Sequence, residues 1–346
     1  MISLYFHVPF CRKKCLYCDF YSETDTKKVG EYIYNTEREI DFRRTDEPVE
    51  SVFFGGGTPS VLNPSEFKRI AEKIKDNFNL NKDCEWTVEC NPESFSVEKA
   101  KMYLSCGVTR LSFGIQSLNE DELKTFGRIH SAKEAEILLQ NKILENFKSI
   151  NIDLIYGLDK QTEASFMKSL KKAVSVPTVK HISLYELTLS EKNILKKANE
   201  EEIEKIEKTS RQYLKEQGFE RYEISNFAKE NHRCRHNENY WLGKKYLGFG
   251  PSACSFDGKS LRTVGTEQEK LTKQQERLEY LMLRLRTSDG FYLSDFKKRF
   301  SEDLMKTKKQ YIENLIKAKY LSIKPDGRLH LSDSGLNLAD GISTNL

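Results

Sequence analysis

Six short β-rich runs recur through the first two-thirds of this chain, and helical patterns lie between and after them. The strand candidates are Ser3–Phe6, Ser51–Phe54, Glu85–Glu89, Arg110–Phe113, Asn151–Ile155 and His181–Tyr185. Helix candidates lie near 27–44, 64–78, 96–105, 131–146 and 162–175. Alternation of this kind builds right-handed βαβ units around a parallel sheet. Six units predict an open, partial (β/α) barrel rather than a closed eight-fold one, with its chemistry at the C-terminal ends of the strands.

The residues that follow the strands fit that expectation. Cys11–Cys18 follows the first run, Gly55-Gly56-Gly57-Thr58-Pro59 the second, and Glu89-Cys90-Asn91-Pro92-Glu93 closes the third. Gly114-Ile115-Gln116-Ser117 closes the fourth, Asp153 and Tyr156-Gly157 the fifth, and Tyr185-Glu186 the sixth. Glycine-rich, polar or ionisable groups thus recur at one end of the predicted sheet, as a single site requires.

Cys11, Cys15 and Cys18 are spaced C-x3-C-x2-C. Three thiolates on one short loop can each take one iron of a 4Fe-4S cluster and leave the fourth iron open. An open position is what a metal needs if another molecule is to coordinate it. Arg12, Lys13 and Lys14 favour the thiolate form and offset the cluster's charge. The alternative is a structural zinc site on the same thiolates plus His7. Cys84, Cys90, Cys106, Cys234 and Cys254 are scattered and read as small buried hydrophobes.

Beyond the sixth run a charged helix is expected from Asn199 to Gln217, ending at Gly218. Residues 219–265 look irregular. Helical patterns return at 268–286, 293–300 and 304–318, and a hairpin, Tyr320–Ile323 with Arg328–Leu331, turns at Pro325-Asp326-Gly327. The expected division is a barrel over 1–225, an irregular connection over 226–267 and a small winged-helix-like module over 268–346.

The 56 basic and 52 acidic residues are interspersed, and the net charge is +4. That balance gives no argument for nucleic acid, and the acids flanking Lys297, Lys298, Arg299, Lys306, Lys308 and Lys309 argue against a DNA-binding wing. No apolar run is long enough for a membrane span. Met1-Ile2-Ser3-Leu4-Tyr5 has no signal-peptide pattern, so a cytoplasmic location is expected.

The motifs carry a resemblance. Tyr5-Phe6-His7-Val8-Pro9-Phe10-Cys11, Phe54-Gly55-Gly56-Gly57-Thr58-Pro59-Ser60, Glu89-Cys90-Asn91-Pro92 and Arg110-Leu111-Ser112-Phe113-Gly114-Ile115-Gln116-Ser117 occur in order. Gly127-Arg128-Ile129-His130, Asp153-Leu154-Ile155-Tyr156-Gly157, His181-Ile182-Ser183-Leu184-Tyr185, Tyr222-Glu223-Ile224-Ser225-Asn226-Phe227 and His236-Asn237-Glu238-Asn239-Tyr240-Trp241 follow. Together they resemble the radical S-adenosylmethionine (SAM) superfamily, and within it the oxygen-independent coproporphyrinogen III oxidase family with its haem-chaperone branch.

The resemblance implies an α/β fold, a three-quarter (β/α)6 partial barrel with a C-terminal winged-helix-like α+β domain. It implies a 4Fe-4S cluster on Cys11, Cys15 and Cys18, and SAM bound among Tyr5, Tyr17, Gly56, Gly57, Thr58, Glu89, Gln116, Arg128 and Asp153. It assigns Gly56–Thr58 to the methionine amino group, and Glu89, Gln116, Arg128 and Asp153 to the methionine carboxylate or the ribose. No catalytic residue beyond the cofactors is implied.

Two features separate the branches. The oxidases carry a fourth Cys as C-x-C, where this chain has Asp19 after Cys18, and they have an N-terminal extension, where only four residues precede Tyr5 here. The haem-chaperone branch also carries the His-Asn-x-x-Tyr-Trp motif, associated there with haem. This makes His236, Asn237, Tyr240 and Trp241 haem candidates, with Cys234 as another conceivable axial ligand. The alternative for His236 is a hydrogen-bonded structural histidine. The expected partners are haem or porphyrin and haem-acceptor proteins, with peripheral membrane contact as a further expectation. The alternative function is conversion of coproporphyrinogen III to protoporphyrinogen IX. Asp159-Lys160 and Ser252-Ala253-Cys254 depart from the family pattern.

Overall fold

The computed structural model describes residues 1–191 and 193–346. The first part runs β1 (Ile2–Val8), α1 (Val29–Phe42), β2 (Thr45–Gly56), α2 (Pro64–Asn77), β3 (Phe78–Cys90), α3 (Val97–Cys106) and β4 (Arg110–Gln116). It continues with α4 (Glu120–Phe126), α5 (Ala132–Leu139), β5 (Ser149–Tyr156), α6 (Glu163–Val174), β6 (Val179–Glu186) and α7 (Glu200–Glu216). Strands β1 to β6 pair in sequence order and all in parallel. Apolar side chains of β1 to β6 and of the helix faces over them, such as Phe54, Phe67 and Tyr103, share one buried core. Helix starts are set locally: Asn63 and Glu66 form a capping box on α2, and Ser131 and Glu134 form one on α5.

The segment 226–267, expected to be irregular, is regular and completes the sheet. After β7 (Glu220–Arg221) come β8 (Asn226–Ala228), α8 (Arg235–Trp241), β9 (Tyr246–Phe249), β10 (Cys254–Phe256), β11 (Leu261–Val264) and β12 (Glu267–Lys270). β8 pairs antiparallel with β6, and β9 pairs parallel with β1. The result is a twelve-stranded sheet in the order β12-β11-β10-β9-β1-β2-β3-β4-β5-β6-β8-β7. Strands of two to four residues carry too little periodicity to read from sequence. β12 is polar and exposed throughout, so the helix expected from 268 starts at Lys273.

Helix α8 closes the N-terminal end of the barrel. Ser3, Ser51 and Glu85 stand at one level of β1, β2 and β3. Asn239 Nδ2 donates to Ser3 Oγ (2.9 Å), and the Glu85 carboxylate accepts from Arg235 N (3.1 Å) and His236 N (3.0 Å).

The last part holds α9 (Lys273–Leu285), β13 (Phe291–Tyr292), α10 (Leu293–Phe300), α11 (Leu304–Thr307), α12 (Lys309–Lys317), β14 (Leu321–Ile323), β15 (Arg328–Leu331), α13 (Asp333–Leu336) and α14 (Ala339–Asn345). Its three strands form a separate sheet, β13-β15-β14, over a core of its own around Leu281, Leu285, Phe296 and Leu329. A helix, a short strand, three helical segments and a hairpin whose far strand lies in the middle give a winged-helix-like arrangement.

Candidate functional site

The C-terminal ends of the parallel strands enclose a cavity of about 340 Å³. Its lining brings together Cys11, Cys15, Cys18, Tyr17, Gly56, Gly57, Thr58, Glu89, Gln116, Arg128 and Asp153. These come from the ends of five strands, β1 to β5, and from the link between α4 and α5 that carries Arg128, so only the folded barrel unites them.

The cysteine loop is tied down on both flanks. Cys11 N donates to Glu23 O (2.9 Å), and Leu16 N to Phe126 O (3.1 Å). The neighbouring glycine loop hangs from it: Gly57 N donates to Val8 O and Thr58 N to Phe10 O, each at 2.8 Å. This contact explains the glycines. Gly56 has φ +106°, and a Cβ there would lie 2.6 Å from the His7 ring. A Cβ on Gly57 would lie 2.9 Å from the carbonyl oxygens of Val8 and Phe10. Both positions are glycine because the cysteine loop packs against them, quite apart from any ligand.

The three thiols are free and partly exposed. Among the described residues no three His, Cys, Asp or Glu side chains converge on one point as a single metal ion needs. His7 is unavailable as a fourth ligand. Its Nε2 donates to Tyr21 O (2.9 Å), and its Nδ1 accepts from Tyr5 OH (3.2 Å). With His7 engaged, the donors at the opening are the three thiols alone, the set that a cubane with one open iron takes. Two buried polar atoms in the lining residues, Gln116 Oε1 and Arg128 Nε, have no partner among the described residues. Gln116 also holds a left-handed φ of +68°, uncommon for a non-glycine and frequent at binding sites.

Arg128 is the cationic wall. Its Nη1 lies 3.4 Å from Cys15 Sγ and 3.5 Å from Tyr17 OH, and its Nη2 donates to Asn91 Oδ1 (2.8 Å) and Gly114 O (2.7 Å). Opposite stand two half-buried carboxyls. Glu89 is pushed up to about 8, chiefly by burial and then by the charge of Asp153, although the Gly56 amide and Arg110 pull it down. Asp153 is raised by burial, against hydrogen bonds from Ser183, Asn151 and Ser112. The arrangement offers a guanidinium to an anion, carboxyls to a cation or to hydroxyls, and thiolates to iron.

One expected member stands just outside the lining. Tyr5 does not line the cavity; its ring lies beside Phe53 with centroids 6.2 Å apart, and its hydroxyl serves His7. Asn91, Ser112 and Tyr185 also line the cavity; Asn91 and Tyr185 stand among the strand-end groups read from the sequence, and Ser112 lies within its strand run. Asn91 bridges Thr58 Oγ1 (3.0 Å) to Arg128, and its position before Pro92 at a strand end was the available signal.

The haem candidates lie at the opposite end of the barrel, on α8. His236 is buried, and both ring nitrogens are engaged. Ser51 donates to Ser3, so Ser51 Oγ accepts from His236 Nδ1 (2.9 Å), and Tyr240 OH donates to Nε2 (3.0 Å). The ring stacks on Phe53 at 4.9 Å, and burial lowers its pKa to about 3. Tyr240 is turned onto His236 and Tyr246, and Trp241 lies under the Arg286 guanidinium at 4.3 Å. Asn237 sits half-buried on the same short helix, and Cys234 is buried against Glu85. In this arrangement neither His236 nor Cys234 presents a free ligand to haem iron. Packed on Ser3, Ser51 and Glu85, α8 plugs the N-terminal end of the barrel.

Comparison with known proteins agrees with the geometry. The radical SAM superfamily matches residues 5–173, and the HemN C-terminal domain matches residues 271–338. A protein named heme chaperone HemW from Buchnera aphidicola subsp. Schizaphis graminum is 37% identical over 279 residues, covering 76% of this chain and 73% of its own length. The protein of that name from Bacillus subtilis is 30% identical over 371 residues, covering 98% and 95%. The solved structure of Escherichia coli coproporphyrinogen III oxidase (HemN) superposes with a TM-score of 0.85 at 21% identity, covering 99% of this chain and 89% of that one, which shows a shared fold. By the identity and coverage of these relatives, together with the cavity and its cysteine loop, the chain belongs to the HemW family of the radical SAM superfamily.

Proposed function

We propose that this chain is a haem chaperone that holds a 4Fe-4S cluster on Cys11, Cys15 and Cys18, binds SAM in the adjoining cavity, and takes up haem for delivery to acceptor proteins. Superfamily membership implies the cluster and SAM. Haem comes from the name its relatives carry. The carrying observation is the convergence of the three cysteines with Gly56, Gly57, Thr58, Glu89, Gln116, Arg128 and Asp153 on one cavity. Asp19, standing where the oxidases have a further Cys, directs the reading to the chaperone.

When bound, the cluster supplies an open iron for the methionine moiety and an electron for the sulfonium. The chain's own residues bind and orient. Arg128, held by Asn91 and Gly114 O, faces a carboxylate with its remaining N–H groups. Gly56, Gly57 and Thr58 bring the backbone close to an amino group. Glu89 and Asp153 serve the cationic and hydroxyl-bearing parts, and Gln116 turns its unpartnered oxygen to the ligand.

No helix among the described residues is long and apolar enough to cross a membrane. We place the protein in the cytoplasm, with haem acceptors reached by peripheral contact. Anaerobic reconstitution, followed by iron and sulfide counting, SAM dialysis and haem titration on one sample, tests the proposal. The expected result is about four irons per chain, bound SAM and a shifted haem absorbance. Absence of haem binding overturns the chaperone reading, and protoporphyrinogen formed from coproporphyrinogen III in the same sample replaces it with the oxidase.

A further inference from the structure

Below the cavity floor a run of hydrogen bonds descends through the barrel. Ser112, Asn151 with Asp153, and His181 with Ser183 occupy alternate positions on β4, β5 and β6, so their side chains share the barrel's inner face. Asn151 Nδ2 donates to Asp153 Oδ1 (2.8 Å) and Ser112 Oγ (2.7 Å). Asn151 Oδ1 stands 2.6 Å from His181 Nδ1 and 3.2 Å from Ser183 Oγ. His181 Nε2 stands 2.8 Å from Tyr222 OH, and Cys234 N donates to that hydroxyl (3.3 Å). Asn151, His181, Ser183 and Tyr222 are each at most 2% exposed.

Donor counting fixes the direction of every bond. The Asn151 amide must turn its NH2 toward the Asp153 carboxylate, because its oxygen there would meet like charge. Its oxygen then faces His181, so His181 Nδ1 carries the proton. His181 Nε2 must accept, so Tyr222 donates to it and receives the Cys234 N–H. Burial disfavours a second proton on the ring. The Asp153 carboxylate, the Asn151 amide and the Nδ1–H tautomer of His181 therefore hold one another in one arrangement, and the Tyr222 hydroxyl secures its far end.

We propose that Tyr222 and His181 are positioning residues for Asp153: Tyr222 holds the His181 tautomer that keeps the Asn151 NH2 on the Asp153 carboxylate and so fixes that carboxylate for the ribose of SAM. The proposal rests on the SAM reading above. It also accounts for the Tyr222 motif and for the placement of α8, whose capping residue Cys234 is the far end of the chain of bonds. Without the Tyr222 hydroxyl, His181 Nε2 loses the donor that favours the Nδ1–H tautomer, and the hold on the Asn151 amide and the Asp153 carboxylate loosens.

The test uses the full chain. Nitrogen-15 NMR of the cluster-free protein reads the His181 tautomer. Dialysis of the reconstituted protein reads affinity for SAM and, separately, for methionine, which lacks the ribose. The expected wild-type tautomer is Nδ1–H. In Tyr222→Phe, SAM binding should weaken roughly five- to ten-fold, the worth of about one neutral hydrogen bond, with methionine binding within about two-fold of wild type on the same scale. An Nε2–H tautomer in the wild type overturns the proposal even if the variant fails to fold. Equal SAM affinity in variant and wild type, or an equal loss for methionine, overturns it too. A wild type that binds neither SAM nor methionine defeats the cofactor reading instead, and is distinguished from failure of the relay, in which the wild type binds SAM and the variant matches it.

Discussion

Glu89→Gln should stabilise the cofactor-free protein at alkaline pH while stripping it of SAM affinity. Burial first, and the Asp153 charge second, push the Glu89 carboxyl from the ordinary 4.5 up to about 8. The folded protein thus keeps a proton that the unfolded chain releases near the ordinary value. Stability is highest below that value, falls as pH rises between it and about 8, and levels off above. At about 1.4 kcal/mol per pH unit, the wild type forgoes roughly 3–5 kcal/mol by pH 9. A glutamine carries no charge to bury and keeps an oxygen for the Gly56 amide. Urea denaturation of the cluster-free protein should show the variant more stable than wild type at pH 9, and equal to it within about 1 kcal/mol at pH 5. Anaerobic calorimetry on reconstituted protein should show the reverse for SAM, a loss of about 2–3 kcal/mol, or roughly 30- to 150-fold. A variant less stable than wild type at pH 9, or one that binds SAM as tightly, would refute the assignment of Glu89 as a strained carboxyl kept for the ligand.

Three further outcomes are expected. Cys18→Ser should abolish the cluster, read by iron counting and charge-transfer absorbance, while the cluster-free melting midpoint barely moves, because Cys18 is partly exposed on its loop. Gly56→Ala should cost roughly 2–4 kcal/mol by urea titration, summing a left-handed φ with displacement of the His7 ring from Tyr5 and Tyr21; a loss under about 1 kcal/mol would mean that the ring moves freely. His236→Asn should lower stability by about 2–3 kcal/mol, since Ser51 and Tyr240 lose their partner and Phe53 its stacked ring, and a melting midpoint unchanged from wild type would count against α8 as a plug.

The parts legible in the sequence are those whose signal is local. Parallel strands buried on both faces read as apolar runs, and each ends where Cys11, Gly55, Glu89, Gln116 or Asp153 breaks the run, so the site could be assembled from strand ends alone. Helices with side-chain caps, such as α2 behind Asn63, were equally plain. The illegible parts depend on long-range pairing. β9 is a strand because β1 offers it an edge, and β12 because β11 does, not because Glu267–Lys270 has a strand pattern. α4 is too short for a period, although Asn119 before Glu120-Asp121-Glu122 was a cap signal. His236 stays undecided in the sequence because a His-Asn-x-x-Tyr-Trp spacing looks the same whether the ring points out to a ligand or in to Ser51. Only the fold reveals the direction.

The parallel seam between β9 and β1 also governs how the protein can be born. β1 leaves the ribosome first, yet its outer edge, Ser3–Phe6, stays open until Tyr246–Phe249 arrives. At ordinary rates of translation that wait lasts on the order of 10 seconds or more. Throughout it the nascent chain shows an unpaired, apolar strand edge with a three-thiol loop beside it. Fragments ending before β9 should therefore collect in the insoluble fraction.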